Sequence, residues 1–533
     1  MDFEYIYPVL ILFGSFAVML AIGVPITFAI GLSSLLSIIT ALPPDAAISV
    51  ISQKMTVGLD GFTLLAIPFF VLAGNIMNTG GIARRLVNLA QALVGRLPGS
   101  LAHCNILANT LFGAISGSAV ASAAAVGGIM SPLQEKEGYD PAFSAAVNIA
   151  SAPIGLMIPP SNVLIVYSLA SGGTSVAALF LAGYLPGILT AVALMFVAAL
   201  YARRHHYPVA ERINYRQFLQ VFRESIPSLM LIFIIIGGII AGVFTPTEAS
   251  AIAVIYSLAL AMIYREITLK KLNDILLDSV VTSSIVLLLV GCSMGMSWAM
   301  TNADVPELIN ELITRVSDNK WVILFIINII LLIVGTFMDI TPAILIFTPI
   351  FLPIAQHLGI DPIHFGIIMV FNLTIGLCTP PVGTILFVGC SIGKVSIDRA
   401  IKPLLPMFLA SLDIISVILA AFISIYLRFD SDKIPANYLS LLISYMPLAV
   451  AIYLISFYLF KLYGRIWRYA SATELIAIVM ANIAASTAWY FISLYIGAVL
   501  PRSLYVFTGL LLIFFIGGSR LSLRFYSYVM NKP

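Results

Sequence analysis

Oxygen-bearing side chains stand beside prolines and glycines where long apolar stretches of the chain are interrupted. These interruptions are Ser116-Gly117-Ser118, Pro159-Pro160-Ser161-Asn162, Asp339-Ile340-Thr341, Thr379-Pro380-Pro381 and Gly383-Thr384. Proline removes a backbone donor and leaves a carbonyl group without its helical partner. Free carbonyls together with hydroxyl and amide oxygens suit a hard monovalent cation such as Na⁺, and a helix that restarts after a break offers N–H groups to an anion.

The interruptions recur at a fixed spacing. A shift of 221 residues places Pro159-Pro160 on Pro380-Pro381 and Ser118 on Asp339, and it also superimposes other glycines and prolines without a gap. Such self-similarity indicates an internal repeat. Inverted-repeat transporters place their binding sites where helices are broken near the middle of the membrane. We therefore expect two related binding regions, one in each half of the chain.

Each interruption also has a purely structural explanation. A single Pro-Pro pair is compatible with a helix kink, in which serine and threonine satisfy local carbonyls, but repetition at symmetric positions favours a binding site. Asp339 is the strongest single candidate because a carboxylate within an apolar run is costly and usually functional; the alternatives are a helix cap or a buried pair. We expect one cation site around Ser116–Ser118 with Ser161-Asn162, and another around Asp339–Thr341 with Thr379–Thr384.

The chain that carries these breaks is strongly apolar. Of its 533 residues, 61% are hydrophobic and only 10% are charged, whereas a soluble domain has about 25% charged residues. This composition excludes a soluble globular enzyme and a disordered chain. Apolar runs of about 17–25 residues can cross a bilayer as helices, and the alternating pattern of a membrane barrel is absent. The sequence therefore predicts an all-α, multi-pass membrane protein.

Several other kinds of chemistry lack a supporting motif. The four cysteines show no paired ligand spacing, and no phosphate-binding loop or Ser/His/Asp arrangement occurs. We therefore expect no enzymatic activity, no resident cofactor and no self-contained ATP-driven transport. The net charge of +3 is too small to indicate a nucleic-acid partner. Thr245-Pro246-Thr247-Glu248 is typical of a helix-capping box rather than of a catalytic site.

Charge distribution predicts how the halves are arranged. The arginine-rich stretch from Arg203 to Glu224 is predicted to be cytoplasmic by the positive-inside rule. An acidic N-terminus indicates that the first half starts outside, whereas the second starts inside, which makes the repeat inverted. The predicted division is a first repeat at 1–202, a connecting loop at 203–225, a second repeat at 226–408 and a four-helix membrane segment at 409–533.

Over roughly residues 1–408, the motifs resemble the large membrane subunit of tripartite ATP-independent periplasmic (TRAP) transporters, the DctM-like family. The matching stretches are Ala66-Ile67-Pro68-Phe69-Phe70, Ser116-Gly117-Ser118-Ala119-Val120-Ala121, Pro159-Pro160-Ser161, Gly242-Val243-Phe244-Thr245-Pro246-Thr247-Glu248, Met338-Asp339-Ile340-Thr341-Pro342 and Thr379-Pro380-Pro381-Val382-Gly383. The resemblance implies a Na⁺-coupled importer of small organic acids, often sialic acid or C4-dicarboxylates, in the bacterial inner membrane. It also implies a small DctQ-like membrane subunit, a DctP-like periplasmic binding protein and an elevator mechanism in which helical hairpins carry the substrate.

The tail departs from that family. From about Ser411 it resembles the membrane region of CapD-type nucleotide-sugar dehydratases and epimerases of polysaccharide biosynthesis. The matching stretches are Leu427-Arg428-Phe429-Asp430, Ile434-Pro435, Tyr463-Gly464-Arg465-Ile466-Trp467-Arg468-Tyr469, Pro501-Arg502-Ser503 and Gly517-Gly518-Ser519-Arg520. Helices are expected at about 411–427, 439–460, 472–497 and 501–519. Four helices are also similar to the small TRAP subunit, but the motifs favour the enzyme's anchor. A natural fusion, an engineered chimera and an assembly artefact are all compatible with this junction.

Three functions are compatible with the sequence. The leading hypothesis is a TRAP-type permease, because the repeat and its symmetric breaks extend over most of the chain. The first alternative is a membrane anchor or assembly module for polysaccharide or nucleotide-sugar biosynthesis. The second is another elevator-type carboxylate carrier that works without a binding protein. The identity of the organic acid is not encoded in a motif, since a binding protein would make most of that selection.

Overall fold

The computed structural model describes residues 3–205, 207–209, 214–316, 320–380, 383–429, 435–460, 462, 472–497 and 500–530. Within these ranges the chain is built from α-helices and contains no strand. Eight helices are long and apolar enough to cross a membrane, or nine if a bent pair is counted as one span. The predicted fold class, an all-α multi-pass membrane protein, is confirmed.

The first half contains eleven helices among the described residues. They are α1 Phe3–Ala21, α2 Ile26–Ala41, α3 Pro44–Leu59, α4 Ala66–Thr79, α5 Ile82–Val94, α6 Ser100–Ser116, α7 Ala119–Lys136, α8 Pro141–Ser151, α9 Ile154–Met157, α10 Asn162–Ala170 and α11 Val176–His205. The second half and the tail continue with α12 Tyr215–Ile240, α13 Pro246–Ile263, α14 Leu269–Asn302, α15 Val305–Val316, α16 Lys320–Phe337, α17 Ile340–His357, α18 Pro362–Gly376, α19 Thr384–Ile392, α20 Ile397–Arg428, α21 Ala436–Leu459, α22 Ala472–Ile496 and α23 Arg502–Met530.

The weakly polar stretch before Gly61 forms helix α3. Pro44 occupies the first helical position and Asp45 lies in the first turn, where a fixed φ angle and a negative charge both favour a helix. The apolar side of α3 packs against α14. Tertiary packing of this kind supplies most of the stability of a short helix.

The repeat seen in the sequence is reproduced in the helix boundaries. Helices α7 and α17 each contain 18 residues and are related by the 221-residue shift at both ends. Helices α8 and α18 both begin at a proline that follows an aspartate cap, Asp140 and Asp361 respectively. Each half therefore contains a helical hairpin, α6–α7 or α16–α17, followed by a broken helix.

The broken helix of each half packs against the hairpin of the other half. Helix α10 lies on α17 and α18, whereas α19 lies on α7 and α8. The Tyr167 hydroxyl on α10 donates a hydrogen bond of 2.6 Å to the carbonyl oxygen of Pro362. These exchanged contacts make residues 100–170 and 320–392 one interlocked body rather than two separate bundles.

The capping box predicted at the start of α13 is confirmed. The Thr245 hydroxyl accepts a hydrogen bond from the backbone N–H of Glu248 at 3.3 Å, and the Glu248 carboxylate accepts from the backbone N–H of Thr245 at 2.8 Å. Pro246 occupies the first helical position. These contacts satisfy orphan backbone donors at the helix start, which is a structural role.

The chain forms two compact units, Met1–Ile401 and Lys402–Pro533. Helix α20 is continuous from Ile397 to Arg428, so it begins well before the expected residue 411, and α23 extends to Met530 rather than to residue 519. Within the second unit, α22 packs against both α21 and α23, and Trp489 is buried with its ring edge-on to Tyr505. The basic motif expected at 463–471 lies outside the described residues.

Candidate functional site

The first break joins α6 to α7. Gly117 ends α6 with a φ angle of +60°, a left-handed conformation that glycine adopts without strain. Ser118 is extended, and its hydroxyl accepts a hydrogen bond of 3.3 Å from the backbone N–H of Ala121. The Ser116 hydroxyl accepts a hydrogen bond of 3.5 Å from the Ser118 N–H. The two hydroxyls therefore face the unwound backbone of the break.

The second break separates α9 from α10. It comprises Pro159, Pro160 and the N-cap Ser161, and the helices on its two sides differ in direction by 49°. The Ser161 hydroxyl is buried and accepts a hydrogen bond of 3.4 Å from the backbone N–H of Leu164. Asn162 opens α10, and its buried Oδ1 atom has no hydrogen-bond partner among the described residues. A buried carbonyl oxygen without a donor is the kind of group that a cation satisfies.

The structure brings these two breaks together. A Cβ atom on Gly117 would lie 2.8 Å from the carbonyl oxygen of Pro160 and 3.4 Å from the backbone nitrogen of Asn162. The backbones of Gly113 and Gly155 cross in contact just before the breaks. The predicted grouping of Ser116–Ser118 with Ser161-Asn162 therefore has a close structural counterpart.

The third break joins α16 to α17. Asp339 precedes α17 in an extended conformation, and its carboxylate makes no capping hydrogen bond within the described part of the chain. The side chain is exposed, and Thr341 in the first turn is half-buried. Asp339 occupies the N-cap position of α17, so the structure is compatible with both a capping role and a ligand role for this residue. The carboxylate stands at the tip of the hairpin, next to the backbone N–H of Ile340.

The fourth break lies between α18 and α19. The Thr379 hydroxyl donates a hydrogen bond of 2.8 Å to the carbonyl oxygen of Ile375. Gly383 is tightly enclosed, since a Cβ atom there would lie 2.8 Å from the carbonyl oxygen of Thr379. Thr384 opens α19, and its buried Oγ1 atom has no hydrogen-bond partner among the described residues. Pro380 belongs to the described part of this break, whereas Pro381 lies outside it.

The two halves share three features at their breaks. The crossing of Gly113 and Gly155 in the first half corresponds to a crossing of Gly335 and Gly376 in the second, where a Cβ atom on Gly335 would lie 3.3 Å from the Cα atom of Gly376. A helical hairpin ends beside each crossing. Each restarted helix begins with a buried, unpartnered oxygen. In the second half, the hairpin and the broken helix meet through contacts of α16 and α17 with α18.

Sequence reasoning missed the glycine crossings. Gly155 and Gly376 are superimposed by the repeat, but Gly113 and Gly335 are not, because they are offset by one residue. A search for small residues one turn before each break would have found them. Their close approach fixes the separation of the hairpin and the broken helix, and thereby the width of the space between the breaks.

The described residues contain no cluster of three or more histidine, cysteine, aspartate or glutamate side chains that could hold a metal ion. All four cysteines are buried and unbridged. The donor set at the breaks is instead made of hydroxyl, amide and backbone carbonyl oxygens. Oxygens of this kind suit a monovalent cation. The N-termini of the restarted helices favour an anionic group.

A multi-pass helical protein with paired hairpins and broken helices belongs to the class of membrane transport proteins. Residues 13–425 match the family described as the tripartite ATP-independent periplasmic transporter, DctM component. The chain belongs to this family, and it is a TRAP transporter large permease subunit.

Similar proteins carry related names. The chain is 89% identical over 418 residues to the uncharacterized protein YgiK of Salmonella typhimurium, which covers 78% of this chain and 96% of that protein. It is 40% identical to the isethionate TRAP transporter permease protein DctMQ of Oleidesulfovibrio alaskensis, over 78% of this chain and 65% of that one. It is 38% identical to the sialic acid TRAP transporter large permease protein SiaM of Vibrio cholerae, over 73% and 91%.

Proposed function

We propose that this permease imports a small organic anion, with Na⁺ as the coupling ion. The observation that carries the proposal is the meeting of the breaks in the first half, where Gly117 lies against Pro160 and Asn162 presents an unpartnered oxygen. Thr384 supplies a comparable oxygen in the second half. Unwound backbone carbonyls and helix termini of this kind coordinate ions and anionic substrates in inverted-repeat carriers.

The substrate class follows from the helix termini and from the names of relatives. Helices α7, α10, α17 and α19 all begin at breaks, and their N–H groups favour negative charge. Relatives are named for isethionate, C4-dicarboxylate, sialic acid and 2,3-diketo-L-gulonate. These compounds share an acidic group on a small polar body. We infer that the substrate belongs to this chemical class, as sialic acid and dicarboxylates do.

The partners inferred for this chain are a small DctQ-like membrane subunit and a DctP-like periplasmic binding protein. The family name describes a tripartite transporter, and one relative carries the fused name DctMQ. A periplasmic partner requires the permease to lie in the bacterial inner membrane. The four breaks would then carry substrate across by movement of the hairpins, in an elevator-like manner.

The proposal is tested by uptake into proteoliposomes that contain this chain, the small subunit and the binding protein. Uptake of a labelled organic acid should require an inward Na⁺ gradient, the binding protein and no ATP. Equal uptake after Na⁺ is replaced by K⁺ or choline, with no pH gradient, would contradict Na⁺ coupling. Uptake without the binding protein would instead favour a self-sufficient carboxylate carrier.

A further inference from the structure

A buried polar cluster lies between the first hairpin and α8. The Nδ2 atom of Asn109 is within hydrogen-bond distance of Asn105 Oδ1 at 2.8 Å, Asn148 Oδ1 at 3.1 Å and Ser151 Oγ at 2.7 Å. Ser122 donates a hydrogen bond of 2.8 Å to the Oδ1 atom of Asn109. All five side chains are at least nine-tenths buried. This cluster lies outside the four breaks.

A small cavity adjoins the cluster. It is lined by residues of α6, α7, α8 and α19 and by Gly393, which follows α19; the lining includes Asn105, Gln134 and Ser144. Three atoms on these residues are buried without a hydrogen-bond partner among the described residues, namely Asn105 Nδ2, Gln134 Oε1 and Ser144 Oγ. The side chains are only 1%, 0% and 4% exposed respectively. An unpaired buried polar atom is costly, and three around one cavity indicate a shared ligand.

The hydrogen-bond donors and acceptors around the cavity indicate which kind of ligand it can bind. The Oδ1 atom of Asn105 accepts a hydrogen bond from Asn109, so its Nδ2 atom has donor hydrogens left for the cavity. Gln134 donates through Nε2 to the carbonyl oxygen of Leu101 at 3.2 Å, so its Oε1 atom offers an acceptor. The Ser144 hydroxyl can act in either role. A neutral ligand with both donors and acceptors fits this set, whereas a cation would face the amide donor of Asn105.

The volume of the cavity also fits a small neutral ligand. The cavity volume is about 10 Å³, which is close to the minimum that one ordered water molecule requires. A buried water molecule makes about three hydrogen bonds to polar groups that would otherwise be unpaired. We propose that this cavity is a binding site for a single water molecule bridging Asn105, Gln134 and Ser144.

The second half shows that the fold itself does not require such a site. The 221-residue shift places Gln134 on Ala355 and Ser144 on Phe365, both fully buried. At the related contact of α10 with α18, the Tyr167 ring packs directly over Gly366. The proposed water molecule therefore bridges α6, α7 and α8 beside the end of α19, whereas the related positions of the second half are filled by apolar side chains.

The sign of a stability change tests the site. The full chain, purified in nanodiscs, is compared with Ser144→Ala. If water bridges the three groups, the substitution removes one partner of the water molecule and the Tm falls. If the cavity is dry, the substitution deletes an unsatisfied hydroxyl and the Tm rises or stays the same, which would overturn the proposal. Ser228→Ala is the matched control, because that hydroxyl is also buried and unpartnered but does not line the cavity.

A density map gives a second, independent measurement. A high-resolution cryo-electron microscopy map of the same full chain should show one peak within hydrogen-bond distance of Asn105 Nδ2, Gln134 Oε1 and Ser144 Oγ. The peak should be lost or weakened in Ser144→Ala. A map that resolves these side chains without a peak between them would overturn the water site. Neither measurement depends on transport, so a failed uptake assay leaves this test unaffected.

Discussion

Gly117 and Pro160 are in contact across the two breaks of the first half: a Cβ atom on Gly117 would lie 2.8 Å from the carbonyl oxygen of Pro160. The two residues are far apart in sequence and belong to different helices, yet this contact places both breaks side by side. The Pro160 carbonyl and the start of α10 consequently lie beside Gly117, which stands between Ser116 and Ser118 in the chain. The first proposed cation site rests on this contact.

Gly117→Ala tests that contact. Alanine would have to adopt a φ angle of +60° and place its methyl group against the Pro160 carbonyl, so the two breaks should separate. We expect at least a tenfold loss of Na⁺-driven uptake, which corresponds to about 1.4 kcal/mol. The control is Gly128→Ala on α7, where a Cβ atom meets nothing within 4 Å. Uptake equal to wild type in a well-inserted Gly117→Ala variant would contradict this role.

The glycine crossing supports a prediction about stability. In Gly155→Ala, the new methyl group would lie 2.6 Å from the Cα atom of Gly113, so the helices must move apart. Overpacking of this kind costs about 1–3 kcal/mol, and the Tm in detergent should fall. Gly237→Ala on α12 is a matched control, since a Cβ atom there has no neighbour within 4 Å. An unchanged Tm in Gly155→Ala would mean that the crossing relaxes without cost.

Thr384→Val tests whether the unpartnered hydroxyl oxygen of Thr384 binds Na⁺. The substitution removes the buried, unpartnered hydroxyl at nearly constant volume. If that oxygen binds Na⁺, the Na⁺ concentration for half-maximal uptake should rise about tenfold for a loss of about 1.4 kcal/mol. If it binds nothing, the variant should be as stable as wild type or more so, with unchanged Na⁺ dependence. Uptake kinetics and Tm measured on the same preparation distinguish the two outcomes.

The sequence predicted the breaks because glycine and proline act locally. Helix α6 ends within the predicted break Ser116-Gly117-Ser118, and α10 begins at Asn162, the last residue of the predicted break at Pro159-Pro160. The capping box at Thr245 was also predictable, since its residues are neighbours in the chain. Local rules suffice where one or two residues decide the backbone conformation.

Contacts between distant parts of the chain could not be predicted from local sequence rules. The cavity proposed to hold a water molecule is lined by both Gln134 and Gly393, which are distant in sequence and belong to different halves. The crossing of Gly335 with Gly376 likewise depends on how two helices pack. The continuous helix α20 runs through the expected boundary at 408–409, although Pro403 and Pro406 stand just before it. Tertiary packing, rather than local propensity, decides all three.

Asp339→Asn and Thr379→Val test the second cation site. Asp339→Asn keeps the shape of the exposed side chain and removes its charge, and Thr379→Val removes a hydroxyl at nearly constant volume. Both should raise the Na⁺ concentration needed for half-maximal uptake while the protein remains in the membrane. A role restricted to the helix kink predicts altered folding or no effect. Unchanged Na⁺ dependence in both well-expressed variants would count against this placement of the site.

Deletion of residues 430–533 tests the contribution of the tail. The family match ends at residue 425, and the Salmonella relative aligns over 418 residues that make up 96% of its own length. The matched region therefore contains the repeats and the four breaks without most of the tail. The truncated chain keeps α20 up to Arg428, although it loses the hydrogen bond from Thr508 to Ser424.

We therefore expect the truncated chain to insert in the membrane and to retain most of its Na⁺-driven uptake, with only a lower Tm. No nucleotide-sugar dehydratase activity should be lost on truncation, because the tail contains no dinucleotide fingerprint. Insertion is checked by membrane fractionation and by size-exclusion chromatography, and uptake is compared with the full chain at equal protein density. Loss of uptake in a truncated chain that remains stably inserted would show that the tail supports the carrier, through a contact that the repeats do not supply.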